Sequence, residues 1–509
     1  MPFLSLSLSI CFYGDGVRCL MSDRDWNNSR PLDVHRWSDY MEVNRLVDQL
    51  MADQFADFTH KKTRNHVKVL LLDLYVCWLE DPDKSLGVGL SNRSYKARSR
   101  YNAIHISNLM IDVVHRFVDA GLAAIWKGNE RAGKTSRIWA TDSLIAQFKQ
   151  AALDSFMVSD HQDRETIILR DEDKKQVEYD EASYPIDTRS KIAKMREQLT
   201  FYNDALVNTF IDIPTLDKGY IENLKDGAIT RHAISDHHKH IHRVFNNSSF
   251  DMGGRFYGGW WQNIPKAYRQ DIFIDDQSTI EVDFKSLHIL LLYGLEGLDM
   301  DEALQGEDAY TINIPFENEP EQARKLGKLL LLIAINAKDD KTALQAFRSI
   351  LVDEGYGGGI TSLKDKDLLP LINALKDKHP KIAHKFCSNA GINLMNVDAD
   401  VASFVLEECL VQDYIPLIIH DSFIVIDVFE EGLKHIMKAA IASVCSGTVP
   451  NFSQVKNERL YLSVFHEAEE ADAYRSSRYK VRLARWKKLS RRRKKHPNAV
   501  EWPKRPTAY

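Results

Sequence analysis

Apolar positions recur along the chain in two rhythms, every three to four residues or every second residue, and the switch between them marks out the elements. Val67 to Leu79 is almost continuously apolar and stops at Asp81-Pro82, which predicts a buried helix ended by proline. From His105 to Ala120, Ile106, Leu109, Met110, Val113, Val114 and Phe117 keep helical spacing, the other side carries Asn108, Asp112, His115 and Arg116, and Gly121 closes the helix. Leu122 to Trp126 and Ser136 to Thr141 then read as strands flanking the charged, glycine-bearing stretch Lys127 to Lys134. Ser155 to Asp251 is charged and reads as mostly helical; Ile192 to Leu206 is its clearest helix and Ile213-Pro214 a break. Thr279 to Phe284 alternates, with Ile280, Val282 and Phe284 on one side and Thr279, Glu281 and Asp283 on the other, and the apolar helix Ser286 to Tyr293 follows. Arg324 to Ala337 reads as a helix, and Tyr414 to Asp427 as a hairpin of two β-rich apolar runs around His420-Asp421-Ser422.

These elements predict an α+β protein, and 509 residues suffice for about three domains. The net charge is only -5, but Arg475 to Lys495 is a dense run of Arg and Lys without an acid. That run, with Tyr479 and Trp486, suits a phosphate backbone with aromatic stacking between charges, and equally a localisation signal or a solubilising tail. The six cysteines, Cys11, Cys19, Cys77, Cys387, Cys409 and Cys445, lie far apart, with no pair or Cys-His spacing suited to zinc, which implies free thiols in a reducing, cytoplasmic setting. Phe3 to Tyr13 is too short to span a bilayer and lacks a preceding cation, so no membrane partner is expected. Residues 1–31 read as a disordered leader or as sequence upstream of a start at Met21.

The succession helix, strand, basic loop, strand within residues 32–153 resembles a winged helix of the kind found in replication initiators. The resemblance makes Arg116, Arg131, Lys134 and Arg137 its phosphate contacts; a winged helix used only for protein contacts or packing is the alternative. His237 to Arg243 is rich in metal-ligating types, but His238 and His242 lack the Glu or Cys partner of a zinc pattern, so a solvated basic helix face is expected.

Chemistry begins at Asp251-Met-Gly-Gly-Arg255-Phe-Tyr257-Gly-Gly259, where glycines allow close backbone approach and Arg255 offers a planar cation for phosphate. Asp283 ends its strand where a carboxylate can hold a cation; an Asp there serves equally as a helix cap. Arg324 and Lys328, at i and i+4, can meet one polyanion such as a triphosphate, with Asn336 about two turns further on; two solvated cations on an amphipathic helix are the plainer alternative. Asp421 is either a solvated hairpin tip or a buried carboxylate costing several kcal/mol unless compensated.

Asp283, the Arg324/Lys328 helix and His420-Asp421 together resemble motifs A, B and C of the single-subunit polymerases, which join family A DNA polymerases and phage-type RNA polymerases. Asp251-x-x-Gly-Arg255-x-Tyr257 and His-Asp-Ser resemble the RNA polymerase branch, and the likeness covers roughly Phe245 to Val428. The resemblance implies a palm with an antiparallel sheet and helical fingers over 245–470, a helical thumb-like region over 154–244, the winged-helix domain before it and a basic tail over 471–509. It further implies template-directed nucleotidyl transfer for a phage, plasmid or mobile element, with template, primer and nucleoside triphosphates as partners. Two Mg²⁺ ions, or Mn²⁺, would lie on Asp283 and Asp421, with Lys328 and Arg324 on the triphosphate, His420 at the primer end, and Arg255 and Tyr257 on nucleic acid. Two positions depart from the family. Asn336 stands where Tyr is usual, and His288 where the DNA branch has a Glu that excludes the 2'-hydroxyl, so the choice of sugar stays open. An untemplated nucleotidyltransferase, or a DNA-binding initiator with an inactive palm, fits the same residues.

Overall fold

Strands of alternating pattern gather into a mixed α+β architecture of several small sheets held between helices. The structure is a computed structural model that describes residues 24–25, 27–128, 134–225, 227–353, 363–445, 452–456 and 473–493. Two large apolar cores divide it: one draws on residues from Val43 to Val158, the other on residues from Ile167 to Cys445.

In the first, the predicted helix runs over Thr63–Glu80 and is buried on every side through its middle, because helices Met41–Gln54 and Leu109–Asp119 and a four-stranded sheet all pack on it. That sheet runs Ser29–Pro31, Ser85–Val88, Ser136–Ala140, Ala123–Trp126, with the first pair parallel and the rest antiparallel. The expected succession of helix, strand and strand is present, but its hairpin is built into this wider sheet. Arg131, in the connecting loop, lies outside the described residues.

The stretch expected to be mostly helical differs. Among the described residues it holds a single long helix, Ile186–Val207, and is otherwise strand, turn and two short 3-10 helices, Ser155–Met157 and Glu181–Ser183. The clearest departure is the hairpin Tyr220–Lys225 with Ala228–Ala233, closed through Gly227 at φ +77°, a conformation only glycine adopts freely. Nor is His237 to Arg243 a solvated helix face: it is a buried connector entering the strand His242–Phe245. Two of its counter-charges, Glu80 and Asp400, come from distant parts of the chain, invisible to local reading. His238 meets Glu80 at 3.0 Å, Lys239 meets Asp236 at 3.2 Å, and Arg243 meets Asp400 at 3.2 Å. Burial pushes His237 and His242 down to about 3 and His240 to about 4, so all three are neutral imidazoles at physiological pH.

The second core is organised by the strand Gln277–Phe284. It pairs antiparallel with Ser422–Ile426, with Phe452–Lys456 and with Phe273–Ile274, and the sheet extends to Leu417–Ile419 and Ile211–Asp212. Helices Leu287–Leu295, Gly391–Val411 and Glu430–Val444 pack around it, while Pro320–Asn336, Asp340–Asp353 and Asp365–Lys378 form a helical layer alongside.

The basic run is also corrected. Ser477–Arg493 is a helix whose inner face docks against the body of the protein. Tyr479 is fully buried and donates to Asp276 at 2.9 Å, and Trp486 packs against Phe156 with ring centroids 5.3 Å apart, so neither aromatic is available to stack on bases. Arg478 and Arg482 both reach Asp212 at 2.7 Å, and Arg482 also reaches Asp236 at 2.7 Å. Apolar residues at helical spacing, Leu483, Trp486 and Leu489, gave the amphipathic signal beneath the charge.

No helix among the described residues is long and apolar enough to cross a membrane, and the four described cysteines, Cys77, Cys387, Cys409 and Cys445, are free thiols.

Candidate active site

Period two along Gln277–Phe284 sends Ile280, Val282 and Phe284 into the core and leaves Thr279, Glu281 and Asp283 on the opposite face. Antiparallel register sets Asp283 directly across from Ser422, so Asp421, the preceding residue in the hairpin turn, is brought to the same strand end. Three side chains fix that hairpin from behind. Trp261 Nε1 and Gln262 Nε2 both donate to the Ile418 carbonyl, at 3.1 and 2.9 Å, and the Tyr202 hydroxyl donates to the Pro416 carbonyl.

Asp283 is a strained acid. Burial, then the neighbouring carboxylates Asp421 and Glu281, push its carboxyl up to about 7, against the weaker pull of Lys266 and Lys328. Its Oδ1 is buried without a hydrogen-bond partner among the described residues. Because the folded value lies above the ordinary 3.8, the stability tied to this proton is fully present below that range and is lost as pH rises to about 7. Asp283→Asn, which cannot ionise, is therefore expected to melt higher than the native chain above about pH 7 in the absence of divalent cations. The difference should shrink toward acid pH. Thermal unfolding across that range checks it, and equal melting on both sides would contradict the crowding.

His420 sits at φ +56°, a left-handed conformation that is uncommon for a residue with a side chain and persists only where the surroundings impose it. Burial, and then Arg255, hold its imidazole below the ordinary value, so it is neutral. Its ring meets Tyr257 edge-on at 5.7 Å, and Nδ1 is buried without a hydrogen-bond partner among the described residues.

Arg255 and Tyr257 lie on the strand Gly253–Tyr257, antiparallel to His242–Phe245 across an irregularity at Val244/Phe245. The glycines before Arg255 are required there. Both have positive φ, and a Cβ on Gly254 would stand 2.7 Å from the Phe245 ring. Arg255 is paired with Asp398, on the helix Gly391–Val411, its Nε reaching both carboxylate oxygens at 3.2 and 3.0 Å and its Nη2 reaching Oδ2. His288, the second residue of the helix Leu287–Leu295, closes the group with Nε2 at 3.1 Å from Asp398 and 3.0 Å from Arg255. Arg255, Asp398 and His288 thus form one interlocked unit beside the Asp421 hairpin.

The helix Pro320–Asn336 begins with proline in its first turn, where the missing N–H costs nothing. It crosses the chain at Tyr310 so closely that a Cβ on Gly327 would lie 2.1 Å from the Tyr310 carbonyl oxygen. That crossing sets the outward cations: Arg324 and Lys328 lie 5.2 and 5.6 Å over the Tyr310 ring. Arg324 is also paired with Asp308 at 2.6 Å, whereas Lys328 is exposed and contributes positive potential at Asp283. Asn336 is exposed, donates to the Leu332 carbonyl at 2.7 Å, and abuts Gly391.

The described N-terminal basic residues have these surroundings. Arg116 is bridged to Asp57 at 2.6 Å and to the Gln54 carbonyl. Lys134 is exposed, and Arg137 donates to the Thr135 carbonyl at 2.9 Å.

Sequence reading missed Glu281, Asp398 and Asp308. A signal existed for the first: an acid two positions before Asp283 on the same strand face. Among the described residues no three His, Cys, Asp or Glu side chains stand together as a ready-made metal cage.

No family model matches the chain, and no curated protein matches it. Among solved structures the chain is similar to the POL domain of Pol1 from M. smegmatis, determined in complex with DNA primer-template and dNTP. Identity is 12%, the TM-score is 0.30, and the match covers 81% of this chain and 65% of that one.

Proposed function

We propose that the chain is a nucleotidyltransferase of the template-directed polymerase type, with its catalytic centre at Asp283 and Asp421. One observation supports this most: a carboxylate at the end of one strand and another in the hairpin turn beside it crowd together, the first pushed up to about 7 with an unpartnered buried oxygen. Like charges are held together at such cost where a cation relieves them. The donor set suits a hard divalent cation, since all the candidate ligands are carboxylate oxygens, and with only two of them the remaining positions fall to water and substrate phosphates, as Mg²⁺ prefers. Asp283 and Asp421 would hold Mg²⁺ or Mn²⁺. Bound there, the ions would acidify an attacking hydroxyl and neutralise a triphosphate.

The chain's own residues supply the rest. Lys328, exposed and facing Asp283, grips the triphosphate and is the proton donor to the leaving pyrophosphate. Arg324 joins it by exchanging Asp308 for phosphate, an inexpensive exchange because both side chains are well exposed. Neutral His420, fixed by the turn and Tyr257, orients the primer end. The Arg255, Asp398 and His288 unit borders the sugar and the nucleic-acid backbone, and Asn336 lies further along the helix that carries Lys328. The N-terminal unit, read as a winged helix, recruits the enzyme to nucleic acid for replication or transcription of a phage, plasmid or mobile element.

Incubating the purified protein with labelled dNTPs or NTPs, Mg²⁺, and primed or unprimed templates tests this reading. Template-dependent extension is the expected result. Products independent of template would make the enzyme an untemplated transferase, and no incorporation under any of these conditions would remove the assignment.

A further inference from the structure

We propose that Glu281 is a third acidic member of the cation site, acting through a water bound to the cation. The inference rests on the reading of Asp283 and Asp421 as cation ligands.

Glu281 is only 5% exposed, and it stands two residues before Asp283 on the same face of the same strand. Its Oε1 accepts from the Ser422 hydroxyl at 2.7 Å and lies 3.4 Å from Arg269 Nη1. Ser422 is both the residue after Asp421 and the register partner of Asp283, so the hydrogen bond ties Glu281 to the two strands that carry the dyad. The other oxygen, Oε2, is buried and has no hydrogen-bond partner among the described residues.

A purely structural acid would be expected to spend both oxygens. Burying a carboxylate costs several kcal/mol, and an orphaned oxygen forgoes part of the compensation. Arg269 is a long and incomplete partner. Asp283 Oδ1 is likewise buried without a hydrogen-bond partner among the described residues, so two acceptors two positions apart on one strand are unspent. Direct ligation by three carboxylates is not the arrangement present, since no three acids already stand at ligating distance among the described residues. A hydrated Mg²⁺ resolves this, because the ion keeps several waters, and a water on the ion can donate to an acceptor one shell further out. Glu281 is thus a positioning residue: it orients a bound water and adds negative potential, while Ser422 fixes its carboxylate.

The test is Mn²⁺ binding to the full-length protein, read from the loss of the free-ion electron paramagnetic resonance signal, for the native chain, Glu281→Gln, Ser422→Ala and Asp421→Ala. Glu281→Gln keeps the size and the Ser422 hydrogen bond and should weaken Mn²⁺ binding about tenfold, as loss of an outer-shell partner does. Its cation-free melting should stay near that of the native chain. Ser422→Ala should weaken binding in the same direction by a smaller factor, and it decides the matter if Glu281→Gln does not fold. Native Mn²⁺ affinity in a folded Glu281→Gln, or in Ser422→Ala should the former not fold, overturns the role of Glu281. Asp421→Ala separates the two claims. If it also binds Mn²⁺ as the native chain does, the cation site itself is wrong; if it alone loses binding, only Glu281 is misassigned.

Discussion

Asp421→Ala is expected to abolish nucleotide incorporation while leaving nucleic-acid binding largely intact. The turn that presents Asp421 is fixed from behind by Trp261, Gln262 and Tyr202 through the Ile418 and Pro416 carbonyls, so removal of the carboxylate should not unfold the hairpin. What disappears is one of two acids able to hold a divalent cation. A bound cation supplies several kcal/mol of transition-state charge stabilisation; at 1.36 kcal/mol per tenfold, its loss lowers the rate by about three orders of magnitude or more. Relief of repulsion on Asp283 should also return that carboxyl toward its ordinary range. Single-turnover incorporation alongside a primer-template binding isotherm checks both halves, and a variant with full activity would refute the assignment.

The double substitution Arg478→Ala with Arg482→Ala is expected to destabilise the protein by about 3–5 kcal/mol, the usual result of removing one side of a buried ion pair. Asp212 is 0% exposed, and both arginines reach it at 2.7 Å. Without them its only remaining hydrogen bond among the described contacts is the 2.8 Å bond from the Ile213 amide. Adding Asp212→Asn removes the stranded charge and should restore part of the loss. Denaturant unfolding of the three proteins measures this directly. Were the basic run only a solvated tether for nucleic acid, neither change would move the midpoint.

Much of the site was legible because its parts are periodic. Asp283 on its alternating strand, Arg324 and Lys328 one turn apart, and His420-Asp421 between two β-rich runs are local patterns, and the elements fall near their predicted bounds: Gln277–Phe284, Pro320–Asn336, and Leu417–Ile419 with Ser422–Ile426. What stayed hidden depends on partners far apart in sequence. Asp398 pairs with Arg255 across 143 residues, and Glu281 with Ser422 across 141. No window of local composition reports either pair. The misreadings share that cause: His237 to Arg243 and Arg475 to Lys495 look like solvated charge until Glu80, Asp160, Asp212, Asp236, Asp276 and Asp400 are seen opposite them.

The docked helix Ser477–Arg493 sets an order of assembly. Asp212 and its arginines are 266 and 270 residues apart, so at roughly 5 to 20 residues per second a ribosome needs roughly 15 to 55 s to supply the second half of the contact. Through that interval the nascent sheet edge carries a carboxylate that must stay wet. The sheet that carries Asp283 therefore gains the cover of this edge only after Ser477–Arg493 has been made, and a chain cut before that helix leaves the Asp212 edge bare and open to proteases.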